Sequence, residues 1–143
     1  MAELKTVGLD ELELSLQEIA EIPAEWQDRM LRAGAEVVKI AQRRKILEYG
    51  IYDPHSTVHV ADSLTIGRPK SVKGVRTLDI TSAGSRVRGK RETRNSEILF
   101  VNEYGKRGQR ARPAIRDANE ACAEEMVQAQ LAVYNEFLES KNL

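Results

Sequence analysis

The chain has 143 residues, enough for one domain and short for two, and its 22 Lys+Arg balance its 22 Asp+Glu. Hydrophobic residues are 41%, charged residues 31% and aromatics only 5%, which predicts a soluble domain with a core of Leu, Ile, Val and Ala and excludes a membrane span, for which ~20 consecutive apolar residues are needed. The start Met1-Ala2-Glu3-Leu4-Lys5 has no secretory pattern, and the single Cys122 excludes an internal disulfide and suits a reducing compartment.

Residues 3–7 alternate polar and apolar and predict a short strand, broken at Gly8. Asp10 with Glu13 has the form of a capping box, and Leu9, Leu12, Leu16 and Ile19 recur at steps of 3, 4 and 3. A short helix is expected there, ending at Ile22 because Pro23 follows. Pro23 suits the start of a second helix over 24–48. Its apolar positions are Trp26, Met30, Ala33, Val37, Ile40 and Leu47, with Arg44 interrupting and Gly50 as C-terminal cap.

Residues 51–74 read as irregular, with Ala61-Asp62-Ser63-Leu64-Thr65-Ile66 a turn feeding a strand. A strand is expected over 75–81, with Leu78 and Ile80 on one face. Residues 82–96, rich in Ser, Gly, Arg and Lys, predict a mobile basic loop. The apolar run Ile98-Leu99-Phe100-Val101 predicts a strand covered on both faces. After Pro113 the positions Ile115, Ala118, Cys122, Met126, Ala129, Val133 and Phe137 repeat at steps of 3 or 4. They predict a final helix of roughly 26 residues, ~40 Å long. The expectation is one α+β domain over 1–143: a small antiparallel sheet with two N-terminal helices and one long C-terminal helix packed on it, plus long basic loops.

The zero net charge is unevenly distributed. Residues 1–66 hold 7 basic and 12 acidic side chains, residues 67–116 hold 14 and 4, and residues 117–143 hold 1 and 6. Segregation of this kind points to an interaction surface. Arg86, Arg88, Lys90, Arg91 and Arg94 form one basic cluster, and Lys106, Arg107, Arg110 and Arg112 a second. Such segments can neutralise phosphates without reading sequence, pair with a protein partner, or stay solvated. No aromatic interleaves the first cluster, which argues against base stacking.

Evidence for chemistry is thin. His55 and His59 stand four apart between Asp53 and Asp62, but the HExxH form is absent and Pro54 disfavours a shared helix face. Gly105-Lys106-Arg107-Gly108 lacks phosphate-loop spacing. Cys122 lies on an apolar stripe and reads as a core residue. No catalytic constellation emerges, so a non-enzyme is expected.

Three blocks, in order, carry a resemblance. They are Gly8-Leu9-Asp10-Glu11-Leu12 before the first helix, Ala61-Asp62-Ser63-Leu64, and Val101-Asn102-Glu103-Tyr104-Gly105 followed by Ala111-Arg112-Pro113 and a long helix. The chain resembles the small neck and tail-completion (head–tail joining) morphogenesis proteins of long-tailed double-stranded DNA phages. His55-Ser56-Thr57-Val58-His59 stands where the family usually has a Thr-Gly pair, and Ala114-Ile115 replaces a bulky aromatic after the Arg-Pro.

The resemblance implies a virion structural protein without cofactor or catalysis, in the neck or tail end, and in host cytoplasm before assembly. It implies a homo-oligomeric ring, commonly six-fold, between tail-tube or terminator proteins and the connector, with genomic DNA passing through the lumen and no membrane partner. Arg86, Arg88, Lys90, Arg91 and Arg94 are then candidates to meet DNA or a partner, and Lys106, Arg107, Arg110 and Arg112 a loop interface. Arg112 precedes a helix N-terminus, where a cation is unfavourable. A compensating carboxylate is expected, with Glu103 the candidate ion-pair partner, within the chain or across an interface. The alternative function is sequence-independent binding of double-stranded DNA through the first basic cluster.

Overall fold

A computed structural model describes residues 22–51, 58–88 and 91–141, the side chains at 86–88, 91 and 92 apart. The strand expected over 3–7 and most of the helix expected up to Ile22 lie outside these residues. The described chain is α+β. Helix α1 spans Ala24–Glu48, a short 3-10 turn covers Val60–Asp62, and six short strands follow. These are β1 (Leu64–Ile66), β2 (Lys70–Val72), β3 (Val75–Thr77), β4 (Ile80–Ser82), β5 (Ser85–Arg88) and β6 (Arg91–Arg94). Helices α2 (Asn95–Tyr104) and α3 (Ala114–Ser140) close the chain. Among the described residues no helix is long and apolar enough to cross a membrane.

The strands do not form one sheet. They make three antiparallel pairs, β1 with β4, β2 with β3, and β5 with β6. The β2–β3 hairpin turns through Lys73 and Gly74, both at positive φ (51° and 80°), the geometry that matches a two-residue turn to the strand twist. The strand expected over 75–81 is interrupted between Thr77 and Ile80, because its two halves pair with different partners.

The frame is the antiparallel pair α1 and α3. Trp26 meets Phe137 edge-on, with ring centroids 5.5 Å apart, at one end. Gln42 Nε2 donates to Asn119 Oδ1 (2.9 Å) towards the other. Between them the helices come close at Gly34, where a Cβ would stand 2.9 Å from Gln130 Nε2 and 3.2 Å from Met126 Cγ. The α3 stripe is as expected: Ala118, Cys122 and Phe137 are buried and the other four positions half-buried. The α1 stripe is partly corrected. Gly34, Ala35, Gln42 and Ile46 are buried, whereas Ile40 is 58% and Leu47 46% exposed. The contact face is rotated towards the small residues that allow the close approach.

A second core lies under the far end of α1, where Ile46, Ile51, Val60, Ala61, Leu64 and Ala114 pack together. Ile80, Ile98, Leu99 and Ile115 border it. Two expectations fail here. Residues 98–101 are helical, not a strand. A four-residue apolar run fits either state by pattern, and Asn95 decides between them. It is fully buried, and its Nδ2 donates to Val58 O (3.0 Å) and Ala83 O (2.9 Å) at the first residue of α2. The segment 82–96 is also not a loop, since β5 and β6 fold it into a hairpin attached to the start of α2.

Candidate interaction surface

Helix α2 carries a basic segment at each end, about 15 Å apart by its ten-residue rise. The N-terminal one is the β5–β6 hairpin. Its register sets Arg86 opposite Thr93, Arg88 opposite Arg91, and Ser85 opposite Arg94. Positions 86, 88, 91 and 93 therefore share one face and Arg94 lies on the other. The five-cation cluster is thus divided, and Lys90 lies outside the described residues. Arg94 is exposed.

The C-terminal segment is a tight turn. Lys106 and Gln109 exchange backbone hydrogen bonds of 3.1 and 2.9 Å, with Lys106, Arg107 and Arg110 exposed around it. Arg112 is differently placed. Its Nε and Nη2 donate to Asn102 Oδ1 (3.1 and 2.6 Å), and its Nη1 donates to Tyr49 O (2.8 Å) at the end of α1. Arg112 N–H also donates to Asn102 O (2.6 Å). Asn102, buried on α2, accepts from Gln109 Nε2 (3.1 Å) and donates to Ile98 O (2.8 Å). One asparagine thus gathers three segments of the chain.

Glu103 and Arg112 are not joined among the described ion pairs and hydrogen bonds. Glu103 Oε1 accepts from Ile115 N–H (2.9 Å) and Oε2 from Arg116 N–H (3.0 Å). It caps the first turn of α3, whose Pro113 offers no side-chain cap. The carboxylate offsets the dipole directly, while the guanidinium turns away to carbonyl acceptors. Gly105, at φ +77°, makes the route possible, because a Cβ there would stand 3.0 Å from Ala111 N and Gln109 O. The Tyr49 hydroxyl donates to Asp117 Oδ2 beside this joint. That bond raises the Tyr49 pKa, assisted by burial and the Asp117 charge, and lowers that of Asp117.

Between the basic ends, α2 turns Phe100 and Tyr104 outward, 64% and 71% exposed, with centroids 4.9 Å apart. Beside them an open cavity of about 500 Å³ is bounded by Leu99, Ile115, Asn119 and Glu120. A second, of about 440 Å³, shares Ser96, Leu99 and Ile115 with it and continues to Gln42, Leu64 and Ile80. Together they form a groove along α2 and α3. Val127 and Leu131 on α3 are less exposed, 44% and 41%.

The residues weighed for chemistry lie elsewhere. His59 Nδ1 accepts from Ala61 N–H (3.0 Å), and Asp62 Oδ1 pairs with Arg43 (2.9 Å). Asp53 and His55 lie outside the described residues, among which no group of three His, Cys, Asp or Glu is placed to hold a metal. Cys122 is buried, and burial raises its thiol pKa.

Asn95, Asn102, Tyr49, Asp117 and the Phe100–Tyr104 pair escaped sequence reasoning. Asn95 and Asn102 stand two helical turns apart, a signal readable only once residues 95–104 are taken as helix. Comparison with protein-family models, curated proteins and solved structures finds no match.

Proposed function

We propose that this chain is a virion structural subunit that assembles into a ring at the head–tail junction, or at the head-proximal end of the tail, of a long-tailed phage. DNA passes through the lumen. The ordered sequence blocks support the phage assignment. The observation that carries a structural role is the use of the third block. Glu103 caps α3, Gly105 turns the chain, and Arg112 ties α2 to α1. Motif residues used as a joint are spent on shape, and they hold an open aromatic face and two basic segments in fixed relation. A ring contact is heterologous, so one face must fit a different face of the neighbour. Native mass spectrometry or electron microscopy is expected to show closed rings, or rings on purified tails. A chain that stays monomeric and never joins tails or connectors overturns the reading.

The β5–β6 register favours a second reading. The pairing of β5 with β6 brings positions 86, 88, 91 and 94 of the first basic cluster into one hairpin, which offers their charges together to an anion. In this reading the chain binds duplex DNA independently of sequence. Binding would fall steeply with salt, and Arg86→Ala, Arg88→Ala and Arg91→Ala together would flatten that slope. Binding that ignores salt overturns it.

A further inference from the structure

Among the described residues nothing fills the α2–α3 groove, and the sequence supplies a segment of matching chemistry. Leu9, Leu12, Leu16 and Ile19 recur at helical spacing, within a stretch (residues 1–21) holding six acidic and one basic side chain. Lys106, Arg107 and Arg110 stand exposed beyond one end of α2, and Arg94 before the other. The apolar stripe matches the apolar floor of the groove, and the acidic flanks match the cations beyond its ends and Arg116 on its rim, where Glu103 and Glu120 also stand.

Length favours a second copy as the source of a helical segment. It joins the described structure at Ile22, next to the start of α1. Gln42 borders the groove, and α1 rises ~27 Å from Ala24 to Gln42. Wound as a helix, the stripe extends from ~5 Å (Ile19) to ~20 Å (Leu9) beyond Ile22. A helix of that length is shorter than the rise of α1 from Ala24 to Gln42.

We propose that the groove receives residues 9–21 of a second copy of this chain, with Leu9, Leu12, Leu16 and Ile19 covering Leu99, Phe100, Tyr104 and Ile115. The contact is heterologous: each copy gives a segment to one neighbour and takes one from the other, which propagates until a ring closes. The inference rests on the ring reading and names the contact that would build it.

The test uses the full chain in two variants. Phe100→Ser with Tyr104→Ser spoils the groove through exposed side chains, so helix content by circular dichroism is expected to match wild type. Leu12→Ser with Leu16→Ser spoils the segment. By sedimentation velocity, wild type forms ring-sized species, weakened by added salt. Each variant alone self-associates about thirtyfold more weakly or worse. Mixed, the two have one intact groove and one intact segment between them, and are expected to form a one-to-one pair and no ring.

Rings that persist in both variants overturn the groove contact and leave the ring reading standing. A mixture that yields no pair, although each variant has lost association, also overturns it, since groove and segment would then not meet. Wild-type chain that never associates overturns both.

Discussion

Helix α3 turns Ala118, Cys122 and Phe137 inward and its glutamates mostly outward, whereas α2 buries Asn95 and Asn102 and leaves Phe100 and Tyr104 outside. The first helix is held by apolar area, which is non-directional and tolerates small shifts. The second is held by amide hydrogen bonds, which fix position and rotation together. A helix whose fully buried positions are two asparagines, with Ile98 and Leu99 bordering the core, leaves its two rings exposed. The difference is one of packing: the stripe of α3 buries apolar area, and α2 leaves an aromatic face exposed.

The comparison breaks most easily in α3. Ala118 is fully buried, so Ala118→Asp puts a carboxylate where nothing compensates it. A loss of ~3–5 kcal/mol is expected, enough to unfold a domain of ordinary stability. Gln128→Asp, on the exposed face of the same helix, should stay within about 0.5 kcal/mol of wild type. Urea denaturation measures both. Equal effects would mean that α3 is held by more than its stripe.

Asn102→Ala tests the other half. It removes the side-chain oxygen that accepts from Arg112 and Gln109, leaving those donors short of a partner. The expected cost is ~2–3 kcal/mol. Truncating Phe100, larger and apolar, should cost far less stability. If Phe100→Ala proved the more damaging of the two in the isolated chain, the inversion would be wrong.

The two helices also differ in how far the sequence disclosed them. Seven α3 positions at steps of 3 and 4 leave only one element type, and the structure matches. Helix α2 was hidden because Ile98-Leu99-Phe100-Val101 has no period, so burial on both faces of a strand was the natural reading. The deciding contacts, from Asn95 to Val58 and Ala83, bridge segments the chain separates by 37 and 12 residues. No local pattern contains them. The basic clusters were legible as composition. Their division between hairpin faces, and the turning of Arg112 towards Asn102, needed the register and the fold.

Glu103 was legible as a carboxylate to compensate Arg112, within the chain or across an interface; within the chain both its oxygens accept instead from backbone N–H groups at the start of α3. Glu103→Ala should therefore lower stability by ~1 kcal/mol, as loss of an N-terminal cap does. Glu103→Gln, which keeps one acceptor and loses the charge, should fall between Ala and wild type. Thermal unfolding orders the three. Because Arg112 does not use the carboxylate, Arg112→Lys should add its own cost on top of Glu103→Ala; a double variant no worse than the singles would restore the ion pair.

The smallest effect is also the one with the clearest sign. Tyr49 donates to Asp117 where α1 ends against the first turn of α3, and the bond lowers the Asp117 pKa while raising that of Tyr49. A depressed carboxylate stabilises the fold above its unfolded pKa of ~3.9 and loses that contribution as pH falls through the lower folded value. A raised phenol stabilises below its unfolded pKa of ~10 and loses that contribution as pH rises through the higher folded value. Tyr49→Phe keeps the ring against the core and removes the bond. The gap in melting temperature between wild type and Tyr49→Phe should be constant between about pH 5 and pH 9 and narrow beyond both ends. A gap that narrows only on the alkaline side would show that the Asp117 carboxylate is held low by the neighbouring Arg116 charge and not by Tyr49.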